Sequence, residues 1–364
     1  MKEKNVSSSL AIDVGKRKCR AAIKDAQGTI LDEFFFANDR DGRTRLIEAA
    51  QMHSPCTAVL ESTGNMWMKI HDALEESGID TKVAHPYKTR IIAEARIKSD
   101  KLDARILADL LRADLIYESY VPPKEFREKR ALVRHRVALT RNRTMYENRI
   151  HSLLDKYDYT TDLTDMFGKS GLQWLKSLQL SPIDKVIMDT SLAAIENINA
   201  QIDIVSKEIC KYAWDSEDVR IILSMTGIGI FSAMVISAEI VDIRRFPTPW
   251  KLVSYAGLAP GSRESAGKTK KGRITKQGSP WLRWTMVQCA HVAAKHDPRM
   301  KAFYERLGSK KGTSKAITAV AKEMLVILWY MLTRRQLYNG MNKERYEQKL
   351  AELRRAVNNP VLDN

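Results

Sequence analysis

Two short apolar runs near the N-terminus each end in a carboxylate, and this arrangement limits the possible folds more than any other feature. Asp13 follows residues 9–12 (Ser-Leu-Ala-Ile), and Glu61 follows residues 57–60 (Thr-Ala-Val-Leu). Runs of this length and composition predict buried β-strands. Acids at the ends of neighbouring strands can converge on one metal site, although a single strand-end Asp is more often a solvated turn residue.

Asp100 and Asp103 form a second acidic pair, at the predicted start of a helix. Their i, i+3 spacing places both carboxylates on one helix face. Together with Asp13 and Glu61 they supply the oxygen ligands that a pair of hard cations requires. Such a pair clamps the attacking and leaving oxygens of a phosphoryl transfer. The order of the acids therefore predicts a two-metal nuclease site.

The composition narrows the choice of binding partner. A net charge of +16 favours polyanions, with nucleic acid as first candidate, although basic ribosome-associated and membrane-surface proteins share it. Widely spaced cysteines without a C-x-x-C pair predict reduced thiols in a cytoplasmic protein. The polar N-terminus does not resemble a signal peptide, and the apolar residues 324–332 are too few to span a bilayer. We therefore expect a cytoplasmic protein outside the membrane.

Residues 1–120 form the first of three predicted regions, and they alternate strands and helices. Strands are predicted near residues 9–13, 19–24, 29–36, 57–61 and 81–84, with a hairpin turn joining the second to the third. Antiparallel strands followed by alternating helices and strands are the order of a ribonuclease H-like (RuvC-like) α/β domain.

Residues 121–215 are predicted to be helical and carry two apolar stripes. The first repeats every seven residues, with reinforcement from adjacent positions: Leu132, Leu139, Tyr146 and Leu153, then Ala131, Ala138 and Met145. The second steps by three and four: Ile195, Ile198, Ile202, Val205, Ile209 and Tyr212. These heptad patterns predict two long helices in a coiled-coil pair, an oligomer contact or an ordinary bundle core.

Arginines outside the seam suggest a second role for the first of these helices. Arg134 and Arg141 are two of them, and a run of arginines with few acids suits phosphate contacts. A solvated face is the usual role of such a charge run.

Residues 216–364 form the third region, which we predict to be mainly α-helical. A turn with Gly227 and Gly229 precedes an apolar helical stretch, as in a helix-hairpin-helix element. Two glycines let such a turn approach a phosphate, and the amides of the next helix can bind it.

Downstream, residues 255–278 are rich in glycine, serine and basic residues and predict a flexible basic loop. The cations able to hold a phosphodiester there are Lys268, Lys270, Lys271, Arg273 and Lys276. A serine among them could attack phosphorus, because nearby cations and a metal favour its alkoxide. The alternative is a flexible surface loop without chemistry.

These motifs resemble those of a known family, the DEDD insertion-sequence transposases, which are RuvC-like recombinases guided by a bridge RNA. The N-terminal resemblance lies in residues 10–15 (Leu-Ala-Ile-Asp-Val-Gly), 61–64 (Glu-Ser-Thr-Gly) and 98–104 (Lys-Ser-Asp-Lys-Leu-Asp-Ala). The C-terminal resemblance lies in residues 257–260, 272–278 and 281–283 together with the loop around Ser265. It covers almost the whole chain, with both motif sets in the family's order.

The resemblance implies a RuvC-like domain and a serine-bearing transposase domain joined by a coiled coil. It implies that the four acids bind Mg²⁺, with two ions expected, and that Ser265 attacks DNA and holds a strand covalently. The family usually has Ser-Gly there, whereas this chain has Ser265-Ala266-Gly267, so Ser262 is an alternative nucleophile. The implied partners are element-end and target DNA, a guide RNA and further copies of the chain in a dimer or tetramer.

Three rival functions remain open at this point. Residues 12–15 (Ile-Asp-Val-Gly) also resemble the first phosphate loop of actin-like kinases and ATPases, but no clear second glycine-rich phosphate strand follows. A RuvC-like endonuclease would use the same acids to hydrolyse DNA. A non-catalytic nucleic-acid-binding protein would not need acids at all four positions. We therefore favour a recombinase that excises and inserts a mobile element.

Overall fold

The computed structural model describes residues 8–62, 64–96, 103–265 and 268–358. The chain divides into two compact units, Met1–Val121 and Pro122–Asn364. The first holds a mixed β-sheet with helices, and the second is mostly helical. The predicted combination of an N-terminal α/β sheet with a mostly helical remainder is confirmed.

The sheet of the first unit has five strands in the order β3-β2-β1-β4-β5. Their bounds are β1 Ser8–Asp13, β2 Lys18–Asp25, β3 Ile30–Ala37, β4 Cys56–Glu61 and β5 Asp80–Ala84. β1 is parallel to β4, and β4 is parallel to β5, whereas β1, β2 and β3 form antiparallel pairs. The carboxyl ends of β1, β4 and β5 therefore share one edge of the sheet.

Helices cover both faces of this sheet: α1 Arg40–Met52, α2 Met68–Glu76, α3 Pro86–Arg96 and α4 Ala104–Arg112. Leu10 and Ile12 belong to one buried cluster with residues of α1 and α2. Ala11, between them, belongs to a second cluster with Leu107 and Leu111 of α4. Alternate strand residues point to opposite faces, so β1 is apolar throughout because both of its faces are buried.

Two long antiparallel helices begin the second unit. α5 spans Lys124–Lys156 and α7 spans Pro182–Asp215, with α6 Lys169–Ser177 between them. Arg136 Nε donates to Ser206 Oγ at 2.7 Å, and Arg143 Nη1 donates to Asn199 Oδ1 at 3.1 Å. In these two contacts the higher residue number on α5 meets the lower residue number on α7, so the two helices run antiparallel. The predicted pair of long helices therefore packs within one chain.

The heptad prediction is correct for the main seam and wrong for its reinforcement. Leu139 and Leu153 are buried, and most of the predicted stripe on α7 is buried as well, although Tyr212 is exposed. Ala131, Ala138 and Met145, expected to support the seam, are exposed. The supporting residues are Val133, Val137, Ile150 and Leu154. Each residue turns a helix by about 100°, so neighbours on the two sides of a seam position face different surroundings.

The remaining elements complete a helical core. They are α8 Glu217–Leu223, α9 Ile230–Ile240, α10 Pro249–Tyr255, β6 Pro260–Ser265, β7 Lys268–Ile274, α11 Pro280–His296, α12 Pro298–Lys311, α13 Thr313–Arg334 and α14 Lys343–Asn358. β6 and β7 form an antiparallel hairpin, which corrects the predicted flexible loop. A two-stranded ribbon does not need an apolar face, so no hydrophobic alternation reveals it in the sequence.

α13 contains the apolar residues 324–332. The whole 22-residue helix is long and apolar enough to cross a membrane by length and composition alone, although residues 324–332 by themselves are not. Half of its most apolar window is buried, and Val320, Met324 and Leu328 lie in the core of the second unit. That packing is typical of the core helix of a globular unit.

Candidate active site and nucleic-acid interface

Asp13 and Glu61 leave the sheet side by side at its carboxyl edge. Ile12 of β1 pairs in parallel register with Leu60 of β4, and each acid is the next residue of its strand. Asp13 is exposed and Glu61 is half-buried. Because β1 and β4 are buried strands of fixed register, the apolar core holds both acids in place.

The electrostatics of this pair favour a bound cation. Partial burial raises the pKa of Glu61, and the negative charge of Asp13 raises it further. Within the part of the chain that the structure describes, neither carboxylate forms an ion pair. Two neighbouring carboxylates without a cationic side chain are suitable oxygen donors for a hard divalent ion such as Mg²⁺.

Asp103 is the N-cap of α4, directly before the first helical turn, whereas the predicted i, i+3 spacing placed it within that turn. Its Oδ1 accepts a hydrogen bond from Ile106 N at 3.0 Å. Lys24 of β2 contacts Asp109 at 2.6 Å, and Arg105, one turn earlier in α4, bonds to Glu33 of β3.

The strand registers show which end of the sheet this cap is near. Lys24 is level with Ser9, near the start of β1, whereas Glu33 pairs with Ala22, which is level with Ala11. The start of α4 therefore points toward the edge where Asp13 and Glu61 lie.

The structure describes three of the four predicted acids, Asp13, Glu61 and Asp103. Asp100 lies outside the described residues. Among residues 8–62, 64–96, 103–265 and 268–358, no three or more His, Cys, Asp and Glu residues are grouped so as to hold a metal ion. The carboxylate oxygens of Asp13 and Glu61 are ligands that fit Mg²⁺. Asp103 caps α4 with Oδ1, so its second carboxylate oxygen is left for a cation.

Ser265 ends β6 at the tip of the hairpin. It pairs with Lys268, the first residue of β7, whereas Ser262 pairs with Lys271 further from the tip. Lys268, Lys270, Lys271 and Arg273 lie on β7, and Lys276 follows it with a left-handed backbone (φ 56°). The predicted cations therefore follow Ser265 along one strand and the turn after it.

Arg134 and Arg141, predicted as phosphate contacts on α5, have different surroundings. The guanidinium of Arg134 donates to Glu239 Oε1 at 2.6 Å, and that carboxylate is 1% exposed. Arg141 is exposed, and its guanidinium lies 5.2 Å from the centre of the Trp281 ring. Arg134 thus anchors the fold, while Arg141 remains accessible.

Trp281 is a candidate that the sequence reasoning used only as part of a motif. Arg134 and Arg141 both lie over its ring, at 5.5 and 5.2 Å. Aromatic rings flanked by arginines are suited to stacking with nucleic-acid bases. The signal available in the sequence is an aromatic residue directly after Pro280 and near many cations.

The glycine turn is only partly as predicted. Gly227 has a φ of +91°, and a Cβ there would lie 2.7 Å from Cys289 O and 2.8 Å from Ala293 N of α11. Its close approach is therefore to a helix of the same unit and not to a phosphate. Gly229 is exposed, precedes the start of α9 and has open space around its Cα. A phosphate could therefore approach the N-terminal amides of α9 past Gly229, which has no side chain in the way.

Two family models match separate parts of this chain. Residues 10–158 match a DEDD transposase model of IS110 type, and residues 219–305 match the transposase IS116/IS110/IS902 family. The chain belongs to the IS110/IS116 family of DEDD transposases. The two matches include the sheet edge with Asp13 and Glu61 as well as the hairpin with Ser265. Membership implies a DNA-processing enzyme that acts in transposition.

Relatives from several bacteria match over most of their length. The chain is 26% identical over 317 residues to the transposase for insertion sequence element IS1111A of Coxiella burnetii, covering 81% of this chain and 84% of the relative. It is 21% identical over 344 residues to the transposase for insertion sequence element IS1328 of Yersinia enterocolitica, covering 91% and 98%. A probable family 20 transposase of Pseudomonas aeruginosa is 23% identical, covering 78% and 86%.

Proposed function

We propose that this transposase excises and inserts its element by Mg²⁺-dependent strand cleavage and exchange through a covalent serine–DNA intermediate. The observation that carries the proposal is the pairing of Asp13 with Glu61 at the carboxyl edge of the sheet. The strand order β3-β2-β1-β4-β5 supports a ribonuclease H-like domain, in which strand-end acids bind the metal. No other pair of strand-end acids in the described chain is placed this way.

Asp13, Glu61 and Asp103, together with Asp100, would hold the Mg²⁺ ions. When bound, Mg²⁺ would stabilise the negative charge that develops on the scissile phosphate and its attacking and leaving oxygens. The protein holds the carboxylates that would bind these ions in fixed positions. Buried strands fix Asp13 and Glu61, and the cap at Ile106 N fixes the orientation of Asp103.

Ser265 is the proposed nucleophile, with Ser262 as the alternative. Its hydroxyl oxygen forms a bond to phosphorus while the bond from phosphorus to the 3′ oxygen breaks. The serine proton is lost, and the departing 3′ oxygen gains a proton to become a hydroxyl. One phosphodiester replaces another, so attack by a new 3′ hydroxyl can reseal the strand without ATP.

DNA recognition by RNA pairing is the second part of the proposal. A guide RNA reads sequence by base pairing, so the protein needs contacts to backbone and shape. The net charge of +16 and the cations on and after β7 suit such contacts. We propose that the protein acts in the cytoplasm as a dimer or tetramer on DNA, in which different copies of the chain supply groups for cleavage and joining.

Hydrolysis is the second candidate function, because the acids alone could direct water to the phosphate. The two functions differ in their product. A recombinase leaves a protein–DNA adduct as an intermediate, whereas a hydrolase leaves free ends only.

The test uses purified chain, Mg²⁺ and a plasmid carrying the gene with its flanking DNA and the RNA transcribed from it. We expect a covalent adduct on a denaturing gel, lost in Ser265→Ala, retained in Ser262→Ala and absent with a chelator. An adduct lost only in Ser262→Ala would move the nucleophile to that residue. Cleavage without an adduct in any variant would favour hydrolysis and overturn the serine step.

A further inference from the structure

The turn that connects β1 to β2 lies directly beside the proposed metal site. Asp13 ends β1 and Lys18 begins β2, so residues 14–17 leave the same sheet edge as Asp13 and Glu61. The turn carries Lys16 and Arg17. Both are exposed, and neither forms an ion pair with any residue that the structure describes.

The neighbouring Lys18 differs from both. Its Nζ lies 4.1 Å from the centre of the Phe35 ring, so its side chain is held over the sheet. Lys16 and Arg17 are therefore the cations of this segment that remain available to an external anion.

Hydrogen bonds to the buried residue Asn38 fix the backbone of this turn. Asn38 is 8% exposed, and its Nδ2 donates to Gly15 O at 2.8 Å. Asn38 N donates to Arg17 O at 2.9 Å. Lys69 Nζ, on α2, donates to Asn38 O and so stabilises the residue that holds the turn.

Gly15 is required by the tightness of the same turn. A Cβ on Gly15 would lie 2.2 Å from Lys18 O, a distance at which the backbone must shift. The turn is thus a fixed element, and Lys16 and Arg17 start from a defined backbone position.

The proximity of this turn to Asp13 is visible at Cys19. The buried Cys19 thiol lies 3.5 Å from Gly15 O, and the charges of Asp13 and Lys69 both act on it. Asp13, the turn and Lys69 therefore surround one small region at the sheet edge.

A DNA strand bound at the proposed metal site needs positively charged side chains next to the acids. Its phosphates are repelled by the carboxylates that would bind the metal, and a metal site alone binds only the scissile phosphate. Cations on a rigid backbone next to the acids can hold a neighbouring phosphate and thereby set the position of the scissile one.

We propose that Lys16 and Arg17, on the β1–β2 turn fixed by Asn38, form a binding site for a DNA phosphodiester that positions the strand at the proposed metal site. This inference rests on the proposed function for its location beside the scissile phosphate. Lys16 and Arg17 position the DNA strand, and Asn38 contributes indirectly by holding the backbone of the turn that carries them.

The test measures DNA binding by the full chain in the presence of a chelator, so that metal binding does not contribute. A labelled DNA duplex from the region flanking the gene is titrated at several salt concentrations. For Lys16→Ala/Arg17→Ala we expect binding weaker by roughly 10- to 30-fold, and a slope of log affinity against log salt reduced by about 0.9 for each lost phosphate contact.

Matched variants separate this site from general charge loss and from misfolding. Lys207→Ala/Lys301→Ala removes the same charge from two exposed lysines of the second unit and should leave the salt slope nearly unchanged. Lys16→Arg/Arg17→Lys should restore the slope because it keeps both charges. Thermal unfolding of all variants should match that of the unsubstituted chain, since the turn is held by backbone and Asn38 contacts.

The outcomes distinguish the two proposals. An unchanged slope, or equal losses in both double variants, would overturn the phosphodiester site. If the slope falls as expected but the unsubstituted chain cleaves no DNA with Mg²⁺, the proposed reaction fails and the binding site stands. If cleavage occurs while the slope is unchanged, the reaction stands and the site fails.

Discussion

Two acidic sites of this transposase, one in each unit, have opposite surroundings. In the first unit, Asp13 and Glu61 repel each other, and the pKa of Glu61 is raised. In the second, Glu239 is 1% exposed, accepts hydrogen bonds from Arg134 and Ser279, and lies 3.9 Å from Arg130. Removing a buried acid that is paired with arginines destabilises the fold because it leaves those cations unpaired, whereas two neighbouring acids that repel each other are suited to bind a cation.

The cations show the same contrast. Arg130 and Arg134 on α5, in a run expected to contact phosphate, are occupied by Glu239 and by carbonyl oxygens of α9. Lys16 and Arg17, which the sequence reasoning passed over, are exposed and unpaired within the described structure. The count of basic residues in a segment is therefore a poor guide to their availability.

Asp13→Asn is expected to have the largest effect, and it acts on catalysis alone. Removing one metal-binding carboxylate should slow DNA cleavage about 1000-fold or more, equivalent to roughly 4 kcal/mol in the barrier. Stability should stay within about 0.5 kcal/mol or rise slightly, because the repulsion between the two carboxylates is removed, although the burial that mainly raises the pKa of Glu61 stays. Cleavage assays and thermal unfolding measure the two effects.

The matched control is Asp80→Asn, at the opposite edge of the same sheet. Asp80 begins β5 and is exposed, so this change should leave cleavage and stability near those of the unsubstituted chain. Full cleavage by Asp13→Asn would contradict the metal role of the strand-end acids.

Glu239→Gln is expected to have the next largest effect, on stability. The substitution leaves Arg134 and Arg130 without their shared negative partner and should lower the free energy of unfolding by about 3 kcal/mol. Denaturant unfolding checks this. Glu208→Gln, which breaks an exposed ion pair with Lys211, should cost under about 0.5 kcal/mol. Equal losses in the two variants would show that burial of Glu239 between its arginines does not matter for stability.

The elements near the proposed metal site were predictable from the sequence because local signals agree there. Apolar runs ending in Asp13 and Glu61 identify strands, and their boundaries fix where the acids leave the sheet. The cap position of Asp103 agrees with residue preference, because Asp is favoured as an N-cap and less favourable inside a helix. The β6–β7 hairpin was missed because its residues do not alternate in polarity.

Partners far apart in the sequence were not predictable. Arg134 bonds to Glu239, and no local pattern indicates which acid will meet a given arginine across 105 positions. The same holds for Asn38 and the turn around Gly15, 23 positions away. Such contacts decide whether an arginine is free to bind phosphate or is already bound to another residue of the protein. The role of a basic residue could therefore be assigned only from the structure.

Asp184 provides the smallest effect, and its sign sharpens the contrast with Glu61. Its Oδ2 accepts hydrogen bonds from Lys156, Tyr157 and Ser181 at 2.7, 2.6 and 2.9 Å. These donors, with Lys156 the strongest, lower the pKa of Asp184 to about 2 from an ordinary value of 3.8. The unfolded chain therefore takes up this proton at higher pH than the folded chain does. The stabilisation is complete above about pH 4 and is lost as the pH falls to about 2.

Asp184→Asn should therefore lower the melting temperature at neutral pH, and the difference from the unsubstituted chain should shrink as the pH falls from about 4 to about 2. The control Asp189→Asn removes a carboxylate of α7 that is 53% exposed and forms an i, i+4 ion pair with Lys185, so its effect should be smaller at every pH. Melting curves across this range measure both. A difference for Asp184→Asn that persists undiminished at pH 2 would show that the ionised carboxylate is not the source of the stability.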